Sequence, residues 1–357
     1  MKVLVAGNLV NWGYHFVKVL RENGIDAELL MPRYPKKSDD PKTFEKLEEY
    51  PAWIKFWNNK KWTWKFEVIS TMRKYDLIHA ITELPIFAMI SGKPYVAFPT
   101  GSDINELVFQ KNLRGILLNW AYKRAKKIVL SGPVLIESAN KLKLKNTVCI
   151  PSPWAHHSVK IENENLKKFT IFYPTRHDWK IKGNDKFLYA FSEVCKGVDD
   201  IKLIIIKHGV DIDKSLKILK QKQCHNKVEI INQTLEHKSL ISYYNKADIV
   251  VDSFPKTDSL GLIGLEALSF GKPLLSHIKP EFYKNFYDEI PPIINCESKD
   301  EIYFKLKELI FNQEKCKKIG ASSQKWFERN YNTQNIVYKF KLLYESILSG
   351  KSDHDLK

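Results

Sequence analysis

The chain has 357 residues, of which 44% are hydrophobic and 27% charged, with 15 Gly and 16 Pro. This length is typical of two domains, and the composition excludes disordered, collagen-like and low-complexity proteins. The formal net charge of +16 lies mostly in the first half, where residues 1–168 carry 27 Lys and Arg against 16 Asp and Glu, a balance that favours an anionic partner such as nucleic acid, lipid headgroups or a phosphorylated substrate.

The first half of the chain alternates short apolar runs with helical patterns. Its first run ends at Gly7 and is followed by helical spacing over Tyr14–Arg21. Runs rich in β-branched and aromatic residues predict strands at Lys2–Ala6, Ala27–Met31, Asp76–Ala80, Pro94–Phe98, Lys127–Leu130 and Thr147–Ile150. This alternation is typical of a parallel sheet with helices between its strands.

The second half repeats the same rhythm. Strands are predicted at Phe169–Tyr173, Lys202–Ile206, Val228–Ile231, Ile249–Asp252 and Leu274–Ser276. We therefore predict two doubly wound α/β domains, over residues 1–160 and 168–331, joined through the polar stretch Ser158–Lys168. A last amphipathic helix over 332–350 is expected to pack back on the first domain.

The segment Asp252–Ala267 is the most informative in the sequence. It runs from the end of a predicted strand, through a loop that holds Asp258, into a helix that contains Glu266. Ligands of open α/β sheets bind at the carboxyl ends of the strands, and a helix N-terminus attracts anions. Both carboxylates can accept hydrogen bonds from sugar hydroxyls. The helix start would offer a diphosphate the backbone N–H groups of Leu260, Gly261 and Leu262.

This segment resembles the donor motif of the retaining glycosyltransferases of family 4, in which an acidic residue and a glutamate are separated by seven residues. Asp258 and Glu266 keep that spacing. Other stretches fall in the order of the family along nearly the whole chain: Asp76–His79, Pro99–Asp103, Ile150-Pro151, Tyr173–Gly183 and Gly271–Pro273. The resemblance implies the GT-B fold, with two Rossmann-like domains facing a central cleft, the first for the acceptor and the second for a nucleotide-sugar.

The resemblance also implies roles for individual residues. Arg176 and Lys182 would bind the donor diphosphate, Glu266 the ribose hydroxyls and Asp258 the transferred sugar. Three features depart from the family pattern. The first acid is Asp258 where Glu is usual, Lys180 competes with Lys182 because the spacing from Arg176 is one residue longer, and Thr100 stands where many relatives have His.

Two candidates lie in the first domain. Gly13 opens the first helix, where a backbone could approach the diphosphate, although a turn glycine is the alternative. Asp103 follows a predicted strand and is expected to contact substrate at the strand end. We predict that Asp103 is a catalytic residue, together with Asp258, Arg176 and Lys182.

The segment Trp53–Phe66 holds four Trp and four Lys and no acid. Trp and Lys together are typical of a membrane interface, while an amphipathic helix with aromatic residues in the core is the alternative. Because basic residues continue through Val108–Lys145, the first domain is expected to present a basic face to an anionic membrane.

The remaining sequence features define the class of protein. No apolar stretch reaches the length of a membrane span, the five Cys are scattered, and no His or Cys pair has zinc spacing, so we expect a cytoplasmic or peripheral protein without a metal.

The resemblance implies retaining transfer of a hexosyl group from a UDP- or GDP-sugar to a glycan or lipid-linked acceptor, with no cofactor and no nucleic-acid partner. The alternatives are a non-catalytic membrane- or RNA-binding protein with a degenerate cleft, or a nucleotide-sugar epimerase of the same fold.

Overall fold

The computed structural model describes residues 1–153, 168–232, 237–254 and 260–350. The chain forms two compact units, one of Met1–Ala155 with Tyr331–Lys357 and the other of His156–Asn330. Of the predicted linker Ser158–Lys168, all but Lys168 lies outside the described residues.

The first unit is built on a parallel sheet of seven strands, most of them apolar runs buried on both faces. Its strands are β1 (Val3–Ala6), β2 (Ala27–Pro32), β3 (Ile54–Trp57), β4 (Leu77–Ile81), β5 (Tyr95–Phe98), β6 (Lys127–Leu130) and β7 (Thr147–Cys149). Its first seven helices are α1 (Trp12–Glu22), α2 (Pro41–Glu45), α3 (Trp64–Met72), α4 (Pro85–Ser91), α5 (Ser102–Asn105), α6 (Leu113–Arg124) and α7 (Val134–Lys141). The strand order is β3-β2-β1-β4-β5-β6-β7.

The second unit repeats the design with six parallel strands. They are β8 (Phe169–Tyr173), β9 (Ile201–Ile206), β10 (Val228–Ile231), β11 (Ile249–Val251), β12 (Leu274–Ser276) and β13 (Ile294–Asn295), in the order β10-β9-β8-β11-β12-β13. Its helices are α8 (Trp179–Lys182), α9 (Asn184–Val194), α10 (Ile212–Gln221), α11 (His237–Lys246), α12 (Leu262–Ser269), α13 (Pro280–Lys284), α14 (Lys299–Phe311) and α15 (Gln313–Asn330). Strands β8 and β11 are neighbours, so the loops after them lie side by side.

The last helix, α16 (Thr333–Ser349), belongs to the first unit. The ring of Phe340 lies 4.9 Å from that of Phe16 on α1, and the Tyr344 hydroxyl lies 2.8 Å from His79 Nδ1 on β4. His79 is fully buried, and that burial lowers its pKa to about 3. Residues from the two ends of the chain therefore share one core.

Two strands depart from the sequence prediction. Both β3 and β13 were missed, and β3 falls inside the Trp53–Phe66 segment, which is therefore neither a single amphipathic helix nor a continuous interfacial segment. Strand β3 pairs with β2 from Ile54 opposite Leu29 to Trp57 opposite Pro32. Trp57 is buried, and helix α3 begins only at Trp64.

Candidate functional site

The loops that follow β8 and β11 are joined by backbone contacts. The Phe254 N–H, just after β11, donates to the carbonyl of Lys182 at 2.8 Å. Gly183 has a φ of +62°, and a Cβ there would lie 2.5 Å from the Phe254 carbonyl oxygen. Only glycine fits this approach without a shift of the backbone. The basic turn after β8 is thus fixed against the strand that leads to Asp258.

Arg176 and Lys182 stand at the two ends of this turn. Arg176 is exposed and its Nη2 lies 3.7 Å from Asp178 Oδ2, a solvent-screened ion pair that leaves the guanidinium accessible. Asp178 also caps α8 by accepting a hydrogen bond from the Ile181 N–H. Lys182 is half-buried and Lys180 is exposed, so burial alone does not decide which lysine meets a phosphate.

A buried asparagine that the sequence prediction missed holds this turn in place. The side-chain amide of Asn184 donates to the Tyr173 hydroxyl at 2.7 Å and to the Arg176 carbonyl at 3.2 Å. Its oxygen accepts the Asp178 N–H at 2.8 Å. One side chain therefore spans the end of β8 and both sides of Arg176. The partners of Asn184 are close to it in sequence. An Asn at the start of a predicted helix is nevertheless also typical of a helix cap, so the sequence did not reveal that this side chain holds the turn.

His177 lies on the buried side of the same turn. The backbone N–H of His177 donates to the His208 carbonyl at 2.8 Å, and the ring Nδ1 lies 2.8 Å from Ser215 Oγ. Burial, with a smaller contribution from His208, lowers the pKa of His177 to about 4. Gly209, at a φ of +116°, brings the loop after β9 against the His177 backbone. His177 is therefore a buried residue with a lowered pKa that packs against Ser215 and Tyr173.

The start of α12 differs in one respect from the sequence prediction. The Leu260 N–H donates to the Tyr283 hydroxyl at 2.6 Å, so it is not available to a ligand as predicted. Gly261 is the N-cap residue of α12, and no side chain caps this helix end. Leu262 is the first residue of the helix, and its side chain is exposed. The first N–H groups of a helix have no partner within the helix. Gly261 and Leu262 remain the backbone donors of the predicted set.

Glu266 is buried in the second turn of α12. Its Oε2 accepts a hydrogen bond from the Tyr244 hydroxyl on α11 at 2.7 Å. Burial raises the pKa of Glu266, and the hydrogen bond from Tyr244 partly offsets that rise. Tyr244 itself stacks on Phe270 with ring centroids 5.1 Å apart. The carboxylate is thus oriented by an aromatic residue that the sequence prediction did not include.

Asp252 is a second buried carboxylate at the end of β11. Its Oδ1 accepts a hydrogen bond from Thr175 Oγ1 at 2.9 Å, which ties the loop after β8 to the loop after β11. Its Oδ2 has no hydrogen-bond partner among the described residues. A Cβ on Gly261 would lie 3.3 Å from that oxygen, so Asp252 faces the first turn of α12. Asp258 itself lies outside the described residues.

Asp103, in the first unit, is engaged by its own loop. The carboxylate accepts the N–H groups of Thr100 and Gly101 at 2.8–3.1 Å, and the Tyr122 hydroxyl at 3.2 Å. Burial raises the pKa of Asp103, and these hydrogen bonds oppose the rise. The expected open contact with substrate is not what this geometry offers, because the carboxylate is buried and bonded to the protein.

Gly13 is buried near the start of α1. A Cβ there would lie 2.1 Å from the Gly7 carbonyl oxygen and 3.2 Å from Asn8 Oδ1, which accepts the Tyr14 N–H. Close packing of α1 on the end of β1 therefore explains this glycine without a ligand.

The described residues contain no group of three His, Cys, Asp or Glu side chains placed to hold a metal ion. In the same residues, none of the helices is both long enough and apolar enough to cross a membrane.

Comparisons with known proteins place these features in context. Residues 156–326 match the model of a family described as glycosyl transferases group 1. No curated protein sequence matches the chain. HepE from Anabaena in complex with UDP resembles the structure with a TM-score of 0.77 at 15% identity, covering 97% of this chain and 100% of that one. The same protein in complex with UDP-glucose gives a TM-score of 0.74 at 14% identity, with the same coverage.

Two further solved structures cover nearly the whole chain. Sucrose-phosphate synthase from Thermosynechococcus elongatus has a TM-score of 0.71 at 12% identity over 98% of this chain and 100% of that one. The lipopolysaccharide outer core galactosyltransferase WaaB, in its apo form, has a TM-score of 0.67 at 14% identity over 99% and 100%. At these identities the likeness shows the fold. The two parallel-sheet units are the two Rossmann-like domains of GT-B.

Proposed function

We propose that this protein, whose residues 156–326 match the family of group 1 glycosyl transferases, transfers a hexosyl group from a nucleotide-sugar with retention of configuration. The observation that carries the proposal is the backbone link between the basic turn at Arg176–Lys182 and the loop that leads to α12. That link holds two kinds of anion-binding group, side-chain cations and helix N–H groups, within one unit.

The donor diphosphate is assigned to Arg176, to Lys182 with Lys180 as the competing lysine, and to the N–H groups of Gly261 and Leu262. Arg offers a bidentate fork and Lys a point charge. HepE, whose fold this chain shares, has been solved with UDP and with UDP-glucose, which supports UDP as the first nucleotide to test, with GDP second.

Glu266 is assigned to the ribose hydroxyls. The Tyr244 hydroxyl donates to Oε2 and orients the carboxylate, and no described residue donates to Oε1, which is assigned to the ligand. Asp258, outside the described residues, is assigned to the transferred sugar because seven residues separate it from Glu266, as in the donor motif that this segment resembles. In the first unit, Asp103 is assigned a positioning role because its carboxylate holds the Thr100-Gly101 turn. Gly13 is assigned one because it allows α1 to pack closely on the end of β1.

Negative charge grows on the departing diphosphate as the glycosidic bond breaks. Cations and helix N–H groups already in place stabilise that charge in the transition state, without the cost of reorganising water. Arg176 and Lys182 supply the positive charge in this scheme, so the proposal includes no metal. We assign no protein nucleophile, and the leaving phosphate assists deprotonation of the acceptor hydroxyl.

The acceptor is proposed to be a glycan or a lipid-linked glycan at the cytoplasmic face of a membrane. The excess of basic residues in the first 168 positions supports an anionic acceptor or surface. The five cysteines are free thiols, which favours a reducing compartment.

A screen of UDP, GDP, ADP and their sugars by thermal shift and by nucleotide release tests the proposal. A ligand that binds only the native protein raises its melting temperature, and release of nucleoside diphosphate reports transfer or hydrolysis. Binding without release, also after glycan or lipid-linked acceptors are added, would indicate a non-catalytic protein, and conversion of the sugar-nucleotide to its epimer would indicate an epimerase.

Arg176→Ala gives the sharper test of the site. We expect turnover to fall by about 10²- to 10³-fold, because one donor to the developing charge is removed. Arg329→Ala is the matched control, since Arg329 is also an exposed arginine of the second unit, paired with Glu289 at 2.8 Å. Equal turnover in the two variants would reject the phosphate assignment.

A further inference from the structure

The first unit carries a layer of three neighbouring helices, α3, α4 and α6, on one face of its sheet. The connections from β3 to β4, β4 to β5 and β5 to β6 all run in the same direction along the sheet. Right-handed crossovers place the helices of such connections on the same face. Helix α3 contacts α4, and α4 contacts α6. The other face is occupied by α1 and α16, which meet at Phe16 and Phe340.

This helix layer exposes large apolar side chains that the core does not use. Trp62 in the turn before α3 is 86% exposed, Leu113 on α6 is 72% exposed and Phe66 on α3 is 67% exposed. Ile90 on α4 and Ile116 and Trp120 on α6 are also exposed. All three helices contribute, and on α6 the spacing of Leu113, Ile116 and Trp120 defines one stripe. Several exposed apolar residues on adjoining helices indicate an interaction surface.

The aromatic residues of the Trp53–Phe66 segment divide between packing and exposure. Trp57 is buried, and Trp64 lies over it with ring centroids 6.4 Å apart and against Phe87 of α4 at 5.4 Å. Trp53 packs against Tyr14 at 5.2 Å. Trp62 and Phe66 are the aromatic residues left to solvent, so the surface depends on them and on α6 rather than on the whole segment.

The charge of this layer is strongly positive. The turn 60–63 and helices α3, α4 and α6 carry six basic residues, Lys60, Lys61, Lys65, Arg114, Lys123 and Arg124, against the single acid Glu67. Glu67 accepts the Asn58 N–H and lies 3.9 Å from Lys61, so it neutralises one lysine locally. Arg114 pairs with a second acid, Glu83, which lies two residues before α4. An excess of positive charge around exposed Trp, Phe, Leu and Ile remains.

We infer that the α3–α4–α6 face is a docking surface for an anionic lipid bilayer, with the apolar side chains entering the headgroup region and the cations lying on the lipid phosphates. Apolar and basic residues on one face are the two contributions that hold a monotopic protein on a membrane. The inference goes beyond donor chemistry but rests on the proposed function for its purpose, which is to bring the enzyme to a lipid-linked acceptor.

Other occupants fit this face less well. Leu113, Ile116 and Ile90 are aliphatic and do not stack on bases, whereas single-stranded nucleic acid is held by aromatic platforms. A second copy of the chain in a two-fold interface would bring this basic face against itself, which repels. Acyl chains and anionic headgroups complement both the aliphatic and the basic side chains.

Sedimentation of the full chain with vesicles tests the inference without any acceptor. Vesicles of phosphatidylcholine containing phosphatidylglycerol should bind the protein at low salt, and pure phosphatidylcholine much less. Replacing Trp62, Phe66 and Leu113 together by Ser should weaken binding by roughly a hundredfold. The matched control replaces Phe304, Phe311 and Tyr338 by Ser, residues 60–69% exposed and outside this layer, and should bind as wild type.

Replacing Lys60, Lys61 and Lys65 by Gln separates the electrostatic contribution. We expect at least about a tenfold loss at low salt that shrinks as salt shortens the Debye length, while the serine variant stays weak at all salt concentrations. The melting temperature of each variant without ligand shows that the protein is folded. The UDP-induced thermal shift is measured separately and is independent of vesicle binding, so that failure of the donor assignment and failure of the membrane inference are distinct results.

Three results would overturn the inference. Wild-type protein that ignores anionic vesicles at low salt has no docking surface of this kind. A control variant that loses as much binding as the serine variant shows that exposed apolar residues act without regard to position. A lipid-free dimer, seen by analytical ultracentrifugation and dissolved by the serine variant, assigns the face to a protein interface instead.

Discussion

Replacing Glu266 by Gln separates the function of this side chain from its effect on stability. Glu266 is buried, and its Oε2 accepts one hydrogen bond from Tyr244. The amide of Gln has nearly the same shape and still offers an oxygen to the Tyr244 hydroxyl. What the variant loses is the negative charge toward the ribose. The packing of α12 against α11 should therefore remain while the nucleotide is bound less tightly.

The expected loss of affinity follows from the proposed contacts. Hydrogen bonds to a charged group contribute about 1.5–3 kcal/mol and neutral ones about 0.5–1.5 kcal/mol. For two ribose hydroxyls the change is about 2–3 kcal/mol, which is roughly a 30- to 150-fold rise in Kd. Titration calorimetry with UDP, or with whichever nucleotide the screen selects, measures it directly.

Stability should change in the opposite direction. Burial raises the pKa of Glu266 above its unfolded value, so the native state holds the proton more tightly, and stability is lost as pH rises through the raised pKa. Gln carries no such penalty. The variant should resist urea better than wild type at pH 8 and equally well below pH 4, where the carboxyl is protonated in both states.

Glu193→Gln is the control for both measurements, because Glu193 lies on α9 of the same unit and pairs with Lys196 at the surface. It should leave nucleotide affinity unchanged. A folded Glu266→Gln protein that binds nucleotide as tightly as wild type would reject the ribose assignment. A variant less stable than wild type at pH 8 would show that the Tyr244 hydrogen bond outweighs the cost of burying the charge.

Three further outcomes are expected. Asp258→Glu, which introduces the residue usual in the motif that this segment resembles, should keep more turnover than Asp258→Asn, and equal losses would mean that charge is not the property used. Gly183→Ala should abolish nucleotide binding because its Cβ meets the Phe254 carbonyl, whereas Gly24→Ala, at a φ of +79° with open space around it, should cost only about 1 kcal/mol of stability. Urea stability of the wild type should fall as pH drops from 6.5 to about 4, since the depressed pKa of His177 withholds a proton that the unfolded chain binds; this one group accounts for about 3 kcal/mol, and a slope unchanged in His177→Asn would contradict it.

Most of the strands that the sequence predicted are buried on both faces, since continuous apolar runs such as Val3–Ala6 and Phe169–Tyr173 need no partner to be recognised. The edge strands β7 and β10 were predicted as well, from their β-branched residues. The two missed strands lie at sheet edges. Strand β3 mixes Lys55 with aromatic residues, and β13 has two residues after a proline pair. Such strands are defined by their pairing with a neighbour, which local composition does not encode.

The site shows the same division. The resemblance to family 4 indicated Arg176, Lys182 and Glu266, because a motif fixes residues along the chain. The partners that orient them are set by the tertiary fold: Tyr244 reaches Glu266 across 22 positions, and the Tyr283 hydroxyl takes the Leu260 N–H across 23. Side-chain donors that arrive from another helix leave no periodic mark in the sequence, so the Leu260 N–H was predicted to be available.

Because α16 belongs to the first unit, the second unit is completed before the first during synthesis. The second unit, His156–Asn330, is continuous in sequence and leaves the ribosome with all its strands. The first unit emerges earlier but lacks Phe340 and Tyr344, so Phe16 and His79 stay uncovered until α16 has been synthesised. The nascent first half is thus an incomplete core with an exposed apolar face on one side of its sheet. Stop codons or ribosome stalling before residue 333 should therefore yield aggregation-prone chains in which the second unit is nonetheless folded.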